Sequence, residues 1–330
     1  MNISKEIELL KKSFDKIKEI KDYLRSFLEP PFQRQNIKRG IDSSLKGKEI
    51  GLVLSGGGAR GVAHVGVLKA LESFGIKPAF IVGTSAGAIV GALYGAGLSP
   101  DEIFIFYSLE EKSFKKLSPL KEIIPAKRSK ILRELLLKYL PINNFKELEI
   151  PVYINSVDIK NCKRIIISEG DLIGAMMGSS AIPFVFEPVR YGDSLLVDGG
   201  VMDLFGIDIA REVNRAVFLK RLKLVVSDVS GITDESSRSK VQNIIINVSH
   251  EVADTINYLG KRKIRIESED DIFSFINNLF YLIKRRAPLF PTLKKGEHLI
   301  SPSLKGMSMF DFKDYKKAYL RGIDSVNFIS

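Results

Sequence analysis

The sequence predicts an α/β protein with a mostly parallel central sheet, and two observations support this prediction. Within residues 51–100, a short apolar strand pattern leads through a glycine-rich turn into a helix pattern, and this unit then repeats. Such connections place both turns at the carboxyl ends of parallel strands, where open α/β sheets bind ligands. The chain has 330 residues, 45% of them hydrophobic, which suffices for one large domain with a substantial core.

Residues 1–48 are predicted to form an amphipathic helix and a linker that precede this domain. Apolar residues keep a three-four spacing over residues 5–28, with Lys and Glu between them, and two prolines then end the pattern. Such a helix packs against the protein body, lies on a membrane surface or pairs with a second copy, and the sequence leaves these roles open. Residues 32–48 are predicted to be a polar linker, so the main domain is expected over residues 49–330.

The first glycine-rich turn has three interpretations. The spacing of Gly56, Gly58 and Gly61 matches a dinucleotide-binding fingerprint, but the second strand ends near residues 82–84 without the acidic residue that would hold a ribose. A P-loop would need Lys and Ser or Thr after the glycines, and the sequence lacks them. The third interpretation is an oxyanion hole built from bare backbone N–H groups. A serine on the neighbouring turn favours this third interpretation.

That serine is Ser85, which lies in a G-x-S-x-G pattern between Gly83 and Gly87. The pattern follows a strand predicted over residues 79–82 and begins a helix predicted over residues 88–96. In a nucleophile elbow the serine occupies a strained strand-to-helix turn, and only small residues fit two positions to either side. The N-terminus of the following helix directs its free N–H groups and positive dipole end towards the serine.

Asp198 is the candidate general base. It ends an apolar strand pattern and is followed by Gly199 and Gly200, so we expect it to emerge from the sheet on a tight turn. None of the three histidines lies in a loop that suggests a catalytic triad; they are His64, His250 and His298. We expect His64 to be a packing residue on the helix that follows the glycine loop.

The order and combination of these motifs resemble the patatin-like phospholipase family. The residues of the three motifs are Gly56, Gly57, Gly58, Arg60, Gly61, Gly83, Ser85, Gly87, Asp198, Gly199 and Gly200. The resemblance extends over residues 49–229 and, more loosely, over residues 298–320. It implies a three-layer α/β/α fold and a lipid acyl hydrolase with a Ser–Asp dyad. In that pattern Ser85 is the nucleophile, Asp198 is the base, and the backbone of Gly56, Gly57 and Gly58 forms the oxyanion hole.

Arg60 lies next to the oxyanion loop and has two candidate roles. It binds a phosphate or carboxylate of the substrate, or it forms a structural ion pair. No group of side chains has the spacing of metal ligands, so neither a metal nor an organic cofactor is expected. The single cysteine, Cys162, and the lack of an apolar signal core near the N-terminus predict a cytoplasmic protein.

The chain is basic, with 50 Lys and Arg against 39 Asp and Glu. The segment 112–138 is rich in Lys and Arg interleaved with apolar residues, and the resemblance places it beside the active-site mouth. It is either a solvated helical face or a rim that contacts anionic lipid headgroups, which would make the protein membrane-peripheral. Nucleic acid is not an expected partner because no recognition motif accompanies the charge.

The rest of the chain continues the α/β pattern up to a helical insert predicted near residues 231–297, to which the sequence assigns no function. Further predicted elements are strands at residues 151–157, 164–167 and 224–228 and a helix at residues 171–180. The sequence thus predicts a serine hydrolase of lipid esters and leaves the oligomeric state open. Two alternatives are a non-catalytic lipid-binding or regulatory protein with the same fold and a nucleotide-binding enzyme that uses the loop at residues 56–61.

Overall fold

The central feature of the fold is an eight-stranded sheet. The computed structural model describes residues 40–118, 123–183, 185–218, 222–230, 278, 293–310 and 312–329. The strands of the sheet are β2 (Glu49–Leu54), β3 (Lys77–Thr84), β4 (Val152–Asp158), β5 (Lys163–Ile167), β6 (Val189–Tyr191), β7 (Ser194–Asp198), β8 (Lys223–Ser227) and β9 (His298–Ile300). A second sheet pairs β1 (Ile41–Asp42) with β10 (Phe328–Ile329) in parallel.

The strands that pair with each other follow the order β6-β7-β4-β3-β2-β8-β9, and β5 pairs with β4 outside this order. The five strands from β4 to β9 along this order are mutually parallel. By contrast, β5 and β7 run antiparallel to β4, and β6 runs antiparallel to β7. The predicted mostly parallel sheet is therefore confirmed for its centre, and an antiparallel group extends it on the β4 side.

Helices cover both faces of the sheet. They are α1 (Val62–Ser73), α2 (Ala86–Gly95), α3 (Pro100–Leu109), α4 (Glu111–Lys116), α5 (Pro125–Tyr139), α6 (Leu172–Ser179), α7 (Ile207–Ala216) and α8 (Tyr315–Asp324). Successive residues of β2 contact different layers, as expected for a strand. Leu52 and Leu54 join the large apolar cluster that includes α1, α2 and α6, whereas Val53 joins a separate cluster with Ile209 of α7. This arrangement confirms the three-layer α/β/α fold.

The part of the predicted linker that the structure describes belongs to the domain. Ile41 lies in β1 and is fully buried, and Leu45 is buried in the 3-10 turn Ser43–Leu45. Burying these two apolar side chains stabilises the pairing of β1 with the distant C-terminal strand. The domain boundary after residue 48 stays a prediction, and both side chains belong to the large apolar cluster of the sheet. The amphipathic helix predicted at residues 5–28 and most of the predicted insert at residues 231–297 lie outside the described residues.

The other predicted elements appear close to their expected positions. The helix predicted at residues 88–96 begins two residues earlier, at Ala86, directly after Ser85. Asp171 caps α6 by accepting a hydrogen bond from the Gly174 N–H, which fixes the start of that helix. Among the helices that the structure describes, none combines the length and the apolar character needed to cross a membrane.

Candidate active site

Ser85 occupies a strained turn between β3 and α2. Its backbone has φ 53° and ψ −120°, a conformation that side-chain-bearing residues rarely adopt. A Cβ atom on Gly83 would lie 2.6 Å from the Cα atom of Ala88, and one on Gly87 would overlap the carbonyl oxygen of Leu54. These close contacts explain why the turn needs glycine on both sides of the serine, as in the elbow that the sequence predicts.

Hydrogen bonds to β4 hold the elbow in place. The Ser85 N–H donates to the Ser179 hydroxyl at 2.9 Å, and that hydroxyl donates to the Asn155 carbonyl at 2.6 Å. The side-chain amide of Asn155 donates to the Thr84 hydroxyl at 3.1 Å. These buried hydrogen bonds hold Thr84 and Ser85 in position, and they offset part of the strain at Ser85.

Asp198 lies at the end of β7 and faces the serine. Its carboxyl lies near enough to the Ser85 hydroxyl for that hydroxyl to lower its pKa, and its Oδ1 accepts a hydrogen bond from the Gly200 N–H at 2.7 Å. The Asp198 N–H donates to the Ala181 carbonyl at 2.9 Å. Burial of the carboxyl raises the pKa of Asp198 to about 6, although the Ser85 hydroxyl and the bond from Gly200 each lower it. The site therefore contains a carboxylate that is a stronger base than an exposed one.

The glycine loop offers two free donors rather than three. The Gly56 N–H already donates to the Leu204 carbonyl at 2.9 Å, so the prediction that Gly56 supplies an oxyanion donor needs correction. The N–H groups of Gly57 and Gly58 donate to no other residue in the part of the chain that the structure describes. Gly58 also lines the pocket that contains Ser85. Gly57 and Gly58 are thus the loop residues whose donors remain available.

The conformation of the loop depends on its glycines. Gly58 has φ +56°, and a Cβ atom there would overlap the Met309 carbonyl oxygen. A Cβ atom on Gly57 would lie 2.6 Å from a methyl group of Val229. Gly61 lies against Ala86 of the elbow, with 2.5 Å between its hypothetical Cβ atom and that of Ala86. The glycine loop and the elbow therefore pack directly against each other.

Arg60 contacts the protein rather than the pocket. Its Nε donates to the Met307 carbonyl at 3.0 Å, and its Nη1 donates to the Ser230 carbonyl. Burial lowers the pKa of the guanidinium, and the nearby Asp228 carboxylate opposes that shift. These contacts favour the structural role for Arg60, which joins the glycine loop to the chain around residue 307. They do not support the predicted contact with a substrate anion.

His64 is fully buried and its ring bonds to groups outside the dyad, as expected of a packing residue. Its Nε2 lies 2.9 Å from the Ser55 carbonyl, and its Nδ1 lies 2.8 Å from the Ser227 hydroxyl. A carbonyl can only accept, so Nε2 bears the proton and Nδ1 accepts from the hydroxyl. Burial lowers the pKa of His64 to about 4, so the ring is neutral near pH 7. Both ring nitrogens are occupied, which leaves neither for Ser85.

A largely apolar pocket adjoins Ser85. It encloses about 580 Å³ of empty space, its open mouth included. Most of its wall is apolar, and no charged side chain lines it among the described residues. The lining residues are Gly58, Ala59, Ser85, Ala86, Ile89, Tyr107, Phe114, Leu117, Leu132, Ser180, Ile182, Val185, Phe186, Met309, Phe310 and Phe312. A chain of methylene groups would lose its contact with water there, which is favourable.

The basic segment contributes to this pocket, as the resemblance implies. Phe114, Leu117 and Leu132 point into the wall, whereas the Lys and Arg side chains of α5 are on its exposed side, except for the buried Arg128. No sequence motif points to Ser179 or to the aromatic residues of the pocket wall. The hydroxyl of Ser179 supports the elbow only because α6 packs beside β4, which is a long-range contact that no local pattern reports.

The fold and the site together define a three-layer α/β protein with a serine elbow and an adjacent buried carboxylate. Residues 52–211 match the family model described as patatin-like phospholipase. Together with the relatives described next, this match supports the patatin-like phospholipase family for this region of the chain. Within the described residues, no group of three or more His, Cys, Asp or Glu side chains is arranged to hold a metal ion.

Comparison with known proteins finds relatives that the chain matches over only part of their length. The chain is 31% identical over 232 residues to a lysophospholipase NTE1 from Cryptococcus neoformans, covering 66% of this chain and 14% of that protein. It is 31% identical over 155 residues to an uncharacterised NTE family protein from Mycobacterium tuberculosis, covering 47% of this chain and 43% of that protein. The chain thus spans less than half the length of these relatives. The solved structure of VipD from Legionella pneumophila aligns with 91% of this chain and 71% of its own at 14% identity, but its TM-score of 0.42 supports no conclusion.

Proposed function

We propose that the protein is a serine acyl hydrolase that cleaves ester bonds of lipids through a Ser85–Asp198 dyad. The observation that carries this proposal is the proximity of the strained Ser85 hydroxyl to the buried Asp198 carboxyl, beside an apolar pocket. The match to the family model and to the named relatives supports a lipid hydrolase as the general class of activity. The proposal goes beyond this general class in naming the Ser–Asp dyad and the ester bond.

The reaction has two steps that use the same two side chains. The Ser85 hydroxyl attacks the ester carbonyl while Asp198 accepts its proton, and the N–H groups of Gly57 and Gly58 stabilise the negative oxygen that forms. The C–O bond to the alcohol then breaks, and the departing oxygen takes the proton from Asp198. Water next attacks the acyl group and gives a proton to Asp198, which returns it to Ser85 as the fatty acid leaves.

The pocket wall supports an acyl chain as the part of the substrate that binds beside Ser85. Because no charged side chain lines the pocket in the described part, a charged headgroup would remain outside it. Some relatives are named lysophospholipases, so a lysophospholipid is the first substrate to test. An alternative without catalysis remains for the same fold, namely a lipid-binding or regulatory protein whose pocket holds a fatty chain.

We further propose that α5 gives the protein a peripheral contact with anionic membranes on the cytoplasmic side. Its exposed surface combines the basic side chains of Lys127, Lys130 and Arg133 with the apolar side chain of Leu137, and the exposed Ile124 directly precedes the helix. The same helix places Leu132 in the pocket wall, so a surface bound there would deliver lipid close to Ser85. Binding to vesicles with anionic lipid should weaken as salt rises, and binding to neutral vesicles should be weak.

Labelling by a fluorophosphonate probe tests the proposed function. The purified protein should be labelled at Ser85 and should hydrolyse a lysophospholipid, whereas Ser85→Ala should lose both properties. Alanine fits the turn sterically, so the variant should fold. Ser99→Ala, which changes the exposed cap of α3, serves as a control that keeps the label. Turnover by Ser85→Ala would refute the proposed nucleophile, and fatty-acid binding without labelling would instead support the non-catalytic alternative.

A further inference from the structure

Ser180 has a buried hydroxyl for which the described residues provide no partner. The residue follows α6 directly, is only 5% exposed and lines the pocket that contains Ser85. Its backbone N–H is occupied, because it donates to the Met176 and Met177 carbonyls at 3.1 and 3.2 Å. Its Oγ forms no hydrogen bond within the part of the chain that the structure describes. A buried hydroxyl in this state reduces stability, so its presence requires an explanation.

The two neighbours of Ser180 in the chain each hold one member of the dyad. Ser179 accepts the hydrogen bond from the Ser85 N–H, and Ala181 accepts the one from the Asp198 N–H. The unpartnered hydroxyl therefore belongs to the segment that connects the nucleophile to the base. The free donors of Gly57 and Gly58 come from a different segment, the glycine loop.

These positions suggest different roles for the two segments. If the carbonyl oxygen of the ester binds at the glycine loop, the oxygen of the alcohol must lie close to Asp198, which supplies its proton. In the segment beside Asp198, Ser180 has a hydroxyl that could donate a hydrogen bond to this oxygen. The remaining wall around it is largely apolar, so few other groups could compensate the oxygen for the loss of water.

We propose that the Ser180 hydroxyl donates a hydrogen bond to the alkoxy oxygen of the substrate ester as that oxygen departs; this inference rests on the proposed hydrolase function. The proton that the leaving alcohol gains still comes from Asp198, and Ser180 transfers none. Its contribution is to stabilise the negative charge that develops on the oxygen while the C–O bond breaks. Ser180 then contacts the substrate. It favours esters over substrates whose leaving atom is a weak hydrogen-bond acceptor.

A pair of esters with the same acyl chain tests this role. A methyl ester has a poor leaving group that needs stabilisation, whereas a p-nitrophenyl ester releases an anion that is already stable. Ser180→Ala should lower kcat/KM for the methyl ester about 10- to 100-fold, the range expected for a hydrogen bond to a charged group. The value for the p-nitrophenyl ester should stay within about threefold, because its departure needs little help. kcat/KM is the appropriate quantity because it reports the acylation step.

Thermal unfolding separates this role from a structural one. Ser180→Ala should leave Tm unchanged or raise it, because the change removes a buried hydroxyl that has no partner. Ser129→Ala is the matched control: Ser129 is also buried, but its hydroxyl accepts a bond from the Glu187 N–H at 3.0 Å, and it lies outside the pocket lining. That control should lower Tm and leave the ratio of the two esters unchanged.

Different results overturn the two proposals. If Ser180→Ala affects both esters equally, or neither of them, the hydroxyl does not contact the departing oxygen and the inference fails while the hydrolase stands. A lower Tm with equal losses on both esters would also overturn it, because that result describes a structural residue. If the unaltered protein cleaves neither ester, or if Ser85→Ala retains the activity, the proposed function fails and the inference on Ser180 fails with it.

Discussion

Thr84 and Asp198 pair with consecutive residues of the same strand, Thr84 with Asn155 and Asp198 with Ser156 of β4. Asn155 pairs with both β3 and β5, and Ser156 pairs with both β5 and β7. Since a strand has only two edges, β3 and β7 must lie on the same edge of β4, one after the other. The two strands run in opposite directions, so their carboxyl ends meet there.

This meeting of strand ends accounts for the contact between the elbow and the carboxylate. Ser85 is the residue after Thr84, and Asp198 is the last residue of β7. Neither side chain depends on a long flexible loop for its position, because the register of β4 fixes both backbones. A site held by strand pairing in this way loses little conformational entropy when it binds a substrate.

The raised pKa of Asp198 predicts the pH dependence of catalysis. Asp198 accepts a proton in the first step only when it is ionised, so kcat/KM should rise with pH through about pH 6 and level off above it. Asp198→Asn should lower kcat/KM about 100- to 10,000-fold at pH 8 and remove this rise. A pH profile of both proteins on one uncharged ester provides the measurement. A wild-type rate that stays constant from pH 5 to 7.5 would argue against Asp198 as the base.

We predict that catalysis does not require His64. Its two ring nitrogens bond to Ser55 and Ser227, and Gln can replace part of this pairing. His64→Gln should therefore keep turnover within about tenfold of the wild type at pH 8, far above that of Asp198→Asn. The comparison uses the same ester and protein samples that are shown to be folded by circular dichroism. Equal losses in the two folded variants would indicate a triad that includes the histidine.

The structure also predicts which glycine substitutions affect turnover. Gly58→Ala should lower kcat about 100-fold or more. Alanine is strained at this positive φ, and its Cβ atom would overlap the Met309 carbonyl oxygen. The loop would have to shift, which would displace a candidate oxyanion donor. Gly192→Ala is the matched control, since Gly192 also has a positive φ of +55° but has no atom near its hypothetical Cβ. It should lower Tm without changing kcat. Similar kcat values for the two variants would show that the loop does not contribute a donor.

The sequence predicted the local parts of this site better than their assembly. The elbow and the turn at Asp198 could be recognised because their glycine spacing has a direct steric cause. The loss of Gly56 as a donor could not, because its partner is the carbonyl of Leu204, which is distant in the chain. The pocket wall combines Phe114 with Met309 and Phe312, so its composition emerges only once the sheet order is known.

Arg60 should affect stability rather than the choice of substrate. Arg60→Gln removes donors to the Met307 and Ser230 carbonyls, so it should lower Tm and reduce kcat for every ester to a similar extent. The assay compares a neutral monoglyceride with a lysophospholipid that has the same acyl chain. A rise in KM confined to the phosphate-containing substrate would instead assign Arg60 a direct contact with the substrate anion.

Asp198 and His64 should have opposite effects on stability between pH 6.5 and pH 4. The folded-state pKa of Asp198 is raised from 3.8 to about 6. As pH falls through 6, the folded state takes up a proton before the unfolded state does, so this group increases the free energy of unfolding. The folded-state pKa of His64 is lowered from 6.5 to about 4, so stability is lost over the same range as only the unfolded state gains a proton. Each contribution has an upper limit of about 3 kcal/mol.

In the wild type these two contributions should largely offset each other, and single variants should separate them. Asp198→Asn retains only the histidine effect, so its free energy of unfolding should fall relative to the wild type as pH is lowered from 6.5 to 4. His64→Gln retains only the aspartate effect and should change in the opposite direction. Urea unfolding of the three proteins at several pH values measures these differences, and the titration of other carboxylates is common to all three. If the three curves were parallel, neither buried group would titrate with the pKa that its burial gives it.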